Sequence, residues 1–422
     1  MMLLKNGFVV DTLTGSIEKK DILIKGRIIK SIGKVSVSRS KIKKVFDLKG
    51  RFVIPALVDI HVHSRVPGKE YAEDFSTISK QALRGGIGRI VTMANTIPVA
   101  DDEQTLRYIK KRAAKESLIT VFQTSAITEN QEGKKIVDIE RNSRYALGFS
   151  DDGRWVFKSE LMIEAMKRAW RCGKKVFSHP QIPFEAVLNR KMFLRRYKGI
   201  PSFTEYLAVF RDCMIAIVEN IPLHLQHIST KQACQIIREA KKINPLITAE
   251  TCPHYMWFSE DDVKDANFKM NPPLRKRKDV DEVIRGVVDG TIEVIASDHA
   301  PHTEIEKSLG FEKSPFGVIG LETLLPASVD KLHIEKKMPL VEVIKRLTIN
   351  PSSVVGINAG FLREGSSADI CVFSFSSWLY DSSFSKSKNS PFLGMRFKSK
   401  VDMTFVAGRL LYENGRLALQ SI

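Results

Sequence analysis

The chain has 422 residues, 43% hydrophobic and 27% charged, a balance that excludes a disordered polymer and a small scaffold stapled by disulfides. It contains no run of about 18 apolar residues to cross a bilayer. The net charge of +18 raises nucleic-acid binding, but the basic residues are scattered in groups such as Lys43-Lys44, Lys110-Lys111-Arg112, Lys174-Lys175, Arg195-Arg196 and Lys336-Lys337, without the aromatic-interleaved stripe of a nucleic-acid module.

From Leu3 to about Leu48, short apolar runs (FVVDTLTG, DILIKGRIIKSIG, KKVFDLKG) separated by Gly, Asp and Ser predict a small sheet. The opening MMLLKNGFVV is too short an apolar run for a secretory core. Five cysteines, widely spaced and without a CxxC pair, point to a reducing compartment; cytoplasmic localisation is expected. Between about Arg51 and Gly356, β-rich runs (FVIPALVDIHVH, GRIVTMANT, KKVFSH, PLHLQHIS, PLITAETCPH, IEVIASDHA) alternate with helical patterns. That alternation predicts a parallel α/β architecture, and its length favours a closed (β/α)8 TIM-type barrel over an open sheet. A Ser-rich patch at Ser374 to Ser390 reads as a loop. ADICVFS, DMTFVAGRLLYENG and a hairpin turn at Asn414-Gly415 return to strand texture. The expected domains are a split β-sandwich from residues 1–50 and 359–422 and a barrel over residues 51–358.

Most of the nine histidines fall at strand ends. His61 and His63 share one side of an extended chain, and two convergent imidazoles chelate a cation such as Zn²⁺. His179, His227 and Asp298 end their own strands, and in a parallel barrel those ends form the face that carries chemistry. His224, three residues before His227, is expected to point to the other side as a packed or partly exposed residue, and His333 to face solvent. Two neighbouring metals need a bridging anion. Asp151-Asp152-Gly153 supplies candidate carboxylates, with no lysine comparably placed.

The ordered segments DIHVHSRVPG, GGIGRIVTMANTIP, FSDDG, GIPSFTEYLAVFRD, LQHIST, NPPLR, SDHAPHTEIEK and SPFGVIGLET resemble the motif set of class I dihydroorotases in the amidohydrolase superfamily. The resemblance implies a zinc enzyme of pyrimidine biosynthesis, with a barrel and a small β-sandwich, that interconverts N-carbamoyl-L-aspartate and L-dihydroorotate. It implies two Zn²⁺ per subunit: His61, His63 and Asp298 on one, His179 and His227 on the other, and Asp152, chosen over Asp151 by the family's DDG spacing, between them. Asp298 would also serve as general base and then general acid. Arg65, Asn95 and His302 would hold the substrate carboxylate, Asn271 would bind substrate, and the backbone of Phe316-Gly317 would contact the ring. A homodimer and association with an aspartate transcarbamoylase are assemblies the resemblance brings with it; neither nucleic acid nor membrane is an expected partner.

The chain departs from the family pattern at Ala94, where proline commonly precedes Asn-Thr, at Pro180-Gln181, where an acidic pair is usual, and at Val66, where an acidic residue is frequent. The stretch Thr251-Cys252-Pro253-His254-Tyr255 is similar to that of allantoinases, with His254 outside the expected ligand set. Another cyclic-amide hydrolase, of hydantoinase, dihydropyrimidinase or allantoinase type, is the first alternative. It is disfavoured by Asp152, Arg65 and His302. A noncatalytic dihydroorotase-like scaffold is the second, and it is disfavoured because every expected metal ligand is present.

Overall fold

A computed structural model describes residues 1–35, 37–184 and 200–418; Arg195-Arg196, named above, lies outside the described residues. The N-terminal strands Met2–Val10, Ile17–Lys25, Ile28–Gly33 and Lys44–Asp47 join the C-terminal strands Ile370–Ser374, Lys400–Val406, Arg409–Glu413 and Arg416–Leu417 in one nine-stranded sheet. The seam is Phe52–Pro55, which runs parallel to Met2–Val10 on one side and antiparallel to Ile370–Ser374 on the other. Leu4, Ile22, Ile24, Phe46, Val53, Ile370, Val372 and Phe405 pack between its strands as a separate apolar core. The hairpin expected at Asn414-Gly415 is present: Glu413 pairs with Arg416, and the two turn residues have φ of 46° and 89°, as the twist of a two-residue hairpin requires.

The run FVIPALVDIHVH, read as one strand, divides between two sheets. Ala56 N donates to Asp369 O and Leu57 N to Gly86 O, each at 2.9 Å, so the chain passes from sandwich to barrel within one residue. Leu57–Val62, Ile87–Thr92 and Thr120–Gln123 then pair in parallel, as do Phe177–Ser178, Leu223–Leu225, Ile247–Thr251 and Val294–Ile295. Parallel bridges from Phe149 to Ser125 and Val176 insert the remaining strand, and a bridge from His299 to Val62 closes the ring. The fold is the (β/α)8 barrel with a β-sandwich from the chain ends.

Helices Phe75–Arg84, Glu103–Glu116 and Lys231–Ile243 start where the sequence spells a cap: Asp74, Asp102 and Thr230 accept backbone N–H groups of the first turn. Their apolar residues recur at helical spacing, as with Leu106, Ile109 and Ala113, which are buried. His333, expected in solvent, is half-buried with its Nδ1 2.8 Å from Met338 O, because the chain makes a π-helical turn at Val329–Glu335. The Ser-rich patch is largely loop, with a short strand pair Trp378–Leu379 and Arg396–Phe397, yet Ser385, Ser387 and Asn389 are buried.

Close approach fixes one glycine next to the Asp-Asp-Gly loop. A Cβ on Gly148 would stand 2.1 Å from the Phe177 ring and 3.0 Å from Lys175 O, so Gly148→Ala is expected to lower stability by about 1–3 kcal/mol, read as a shift of the urea midpoint.

Candidate active site

Four imidazoles and two carboxylates converge at the C-terminal ends of the barrel strands. Asp152 is the hub. Its Oδ1 lies 3.4 Å from His61 Nε2, 3.3 Å from His179 Nδ1 and 3.7 Å from His227 Nε2, and its Oδ2 lies 3.4 Å from His63 Nε2. Asp298 Oδ1 is 3.4 Å from His61 Nε2 and 3.2 Å from His63 Nε2. All six residues are buried. Burial works to raise the pKa of Asp152 and Asp298, but the surrounding imidazoles outweigh it and hold Asp152 well below the usual carboxylate range and Asp298 at about 2. Both acids are therefore anions, as metal ligands must be.

The donor set fits a borderline cation. His63 Nδ1 lies 2.8 Å from Asn95 Oδ1 and His61 Nδ1 lies against Glu250 Oε1 at 2.5 Å. Burial works to lower the pKa of His61, but without a cation the Glu250, Asp298 and Asp152 carboxylates raise it well above the usual imidazole range; a cation between them would take the place of the Nε2 proton, while the Nδ1 proton stays directed at its outer partner. His61 Nε2 has no hydrogen-bond partner although it is buried, a state that a bound cation would relieve. His61, His63 and Asp152 form one cluster able to hold an ion, and Asp152, His179 and His227 form a second. Cys252, His254 and Asp298 form a third, in which burial lowers His254 to about 4 and so keeps its imidazole neutral.

Local backbone aims these groups. Arg65, His227 and Asp298 have φ of 60°, 37° and 47°, left-handed values that non-glycine residues adopt at a cost and that cluster at working sites. Asp59 Oδ1 accepts from the backbone N of His61 (3.2 Å) and of Ser297 (3.1 Å), tying the His-x-His strand to the one that ends at Asp298. Three motif segments meet below His227: Glu205 accepts from Ser229 N and Thr230 N, each at 2.9 Å, and Arg275 Nη2 lies 3.4 Å from its Oε2.

A cavity of about 330 Å³ opens onto the cluster, and Arg65, Asn95, Asn271, His302, Phe316 and Gly317 all line it; its volume is at the small end for ligand sites. Arg65 Nε donates to Pro301 O at 3.0 Å; burial lowers its pKa to about 10, so it stays cationic at neutral pH. His302 is neutral, since burial and then Arg65 push it down to about 2, and its Nε2 lies 2.7 Å from Phe316 O. Gly317 cannot be another residue: at φ 135° a Cβ would stand 2.8 Å from Ala300 O. Asn95, which follows Ala94, is held from two sides, since its Nδ2 also reaches Asp152 Oδ2 at 3.3 Å. In place of an acidic neighbour after position 179, His179 Nε2 meets Asn271 Nδ2 at 3.3 Å.

The model of the amidohydrolase family matches residues 52–411. The chain belongs to the amidohydrolase family. This amidohydrolase is 39% identical over 422 residues to a dihydroorotase of Clostridioides difficile (98% of this chain, 100% of that protein) and 38% identical to one of Acetivibrio thermocellus (97% and 98%). Among solved structures it is similar to the L-hydantoinase (dihydropyrimidinase) of Arthrobacter aurescens, with a TM-score of 0.88, 22% identity and 99% and 97% of the two chains covered. It is also similar to a dihydropyrimidinase of Brevibacillus agri, with a TM-score of 0.86, 20% identity and coverage of 99% and 96%. At that identity the second pair speaks for the fold alone. The amidohydrolase is thus of the dihydroorotase-like cyclic type, with buried His/Asp clusters suited to metal. No helix among its described residues is long and apolar enough to cross a membrane.

Beside His333, a second expectation about the amidohydrolase's histidines is corrected. His224 is packed, as expected, but not on the opposite side from His227: it is buried with Nε2 3.1 Å from Glu250 Oε2 and Nδ1 2.9 Å from Thr248 Oγ1. The left-handed backbone at His227 breaks strand alternation, so both histidines face inward. Sequence reasoning missed Glu250, which links His61 to His224. Its signal was a carboxylate in the otherwise uncharged run ITAET, where an acid must find a partner.

Proposed function

We propose that this amidohydrolase is a zinc-dependent dihydroorotase, interconverting N-carbamoyl-L-aspartate and L-dihydroorotate plus water. The observation that carries this reading is one small cavity lined both by residues of the His/Asp cluster and by cationic Arg65, since the substrate is a cyclic amide bearing a carboxylate. His61, His63 and Asp298 would hold one zinc, His179 and His227 the second, and Asp152 would lie between. When bound, zinc supplies Lewis-acid polarisation of the ring amide carbonyl and activation of the attacking water.

The chain's own groups do the rest. Arg65 binds the substrate carboxylate, which its planar fork matches, with Asn95 and His302 beside it in the same cavity. Asn271 and the backbone of Phe316-Gly317 orient the ring. The Asp298 carboxylate takes the proton of the attacking water and delivers it to the departing amide nitrogen; in the synthetic direction it runs the same transfer in reverse. A homodimer and a complex with an aspartate transcarbamoylase belong to the same proposal.

The zinc-loaded protein is expected to interconvert carbamoyl aspartate and dihydroorotate and to leave hydantoin and allantoin untouched, measured by ring absorbance and product chromatography. Turnover of hydantoin or allantoin without the first pair would overturn the assignment, and absence of all turnover would favour a scaffold.

A further inference from the structure

One wall of the cavity is braced by chain from outside the barrel. Residues 384–390, the end of the Ser-rich patch, run across the loops that follow the barrel strands. Phe384 N donates to Glu322 Oε1 at 2.9 Å, Ser385 Oγ donates to Glu73, Lys386 Nζ donates to Glu70 O at 2.7 Å, and Ser387 Oγ donates to Ala72 O at 2.8 Å. At the end of this strap Asn389 is 1% exposed. Its Nδ2 donates to Ala300 O (3.1 Å) and Gly317 O (3.0 Å), its Oδ1 accepts from His302 N (3.1 Å), and its own carbonyl accepts from Ile319 N (2.9 Å).

A carboxamide offers two N–H donors and an oxygen acceptor, and Asn389 uses its donors and its acceptor on the backbone of two loops. Those loops carry His302 on one side and Phe316-Gly317 on the other, and both line the cavity. We infer that Asn389 is a positioning residue for substrate: it fixes the distance between the His302 loop and the Phe316-Gly317 loop, and so sets how the carboxylate end and the ring-facing backbone are presented together. What is bound rests on the function proposed above; the brace itself does not. No other side chain has this inventory at this size. Alanine leaves three buried backbone groups without partners, and aspartate turns one acceptor oxygen toward two carbonyls, each a sizeable penalty in a buried setting. Asn389 touches no metal-cluster residue, so its effect belongs to substrate binding and not to metal retention.

The test uses the full-length zinc-loaded protein and its Asn389→Ala and Asn389→Asp variants, the second keeping the side chain's size in case the first does not fold. KM for L-dihydroorotate is expected to rise about tenfold or more, equivalent to about 1.4 kcal/mol of binding, with kcat changed far less and zinc per chain unchanged. Amide hydrogen exchange over residues 299–302 and 316–319 is expected to speed up in the variants, with or without zinc. Unchanged KM and unchanged exchange would overturn the inference, as would loss of zinc and kcat at constant KM. If the parent protein turns over no dihydroorotate, the proposed function fails and the exchange measurement alone decides for or against the brace.

Discussion

Asp298→Ala is expected to reduce turnover roughly 10³-fold or more while the protein keeps its fold and part of its metal. The reason is that one carboxylate holds two positions at once. It lies 3.2 Å from His63 Nε2 and 3.4 Å from His61 Nε2, and it lines the cavity where substrate is proposed to bind. His61, His63 and Asp152 remain as a three-member cluster when it is removed, so an ion can still be held. No other carboxylate among the described residues lines that cavity except Asp152, which the four histidines already engage. Asp298→Asn separates the two contributions: an amide oxygen can still face the metal, but it cannot take a proton. Steady-state rates beside metal content by mass spectrometry check both variants, and near-parental turnover in either would remove Asp298 from the proton-transfer role.

The adjacent aspartates should behave in opposite ways. Asp152→Ala is expected to empty both clusters of metal and abolish activity, because each cluster includes this residue. Asp151 points elsewhere. Its Oδ1 accepts from Ile127 N at 2.7 Å and Thr128 N at 3.1 Å, and burial raises its pKa to about 6. Asp151→Ala leaves those two buried donors without an acceptor, and the expected outcome is a loss of about 1–3 kcal/mol of stability with zinc content retained. Zinc per chain and urea midpoints, measured on both variants, give a crossed result: metal without stability in one, stability without metal in the other. Zinc loss in Asp151→Ala with retention in Asp152→Ala would exchange their roles.

The histidine pattern was legible because a parallel barrel collects strand ends on one face, so His61, His63, His179, His227 and Asp298 could be grouped from sequence position. Asp152 could be singled out from Asp151 only through the family's spacing, since two adjacent acids in a turn carry no period. His224 was misread for a physical reason: alternation holds only while the backbone stays extended, and His227 at φ 37° does not. Glu250 and Asn389 act across contacts between residues 189 and 89 positions apart, His61 to Glu250 and Ala300 to Asn389. Nothing local marks such pairs. The Ser-rich texture at residues 374–390 correctly indicated irregular chain, but composition could not show that the chain was buried.

The passage from one sheet to the other at Ala56 bears on how the molecule is made. Phe52–Pro55 finds one neighbour, Met2–Val10, almost at once, but its other neighbour is Ile370–Ser374. A ribosome adding about 5–20 residues per second leaves that second edge open for tens of seconds, through synthesis of the whole barrel. The strand that continues into His61 and His63 therefore starts from a sheet still missing its far half. An unpaired edge of this kind is where nascent chains join each other instead of themselves, and the C-terminal strands that arrive last are what end the exposure.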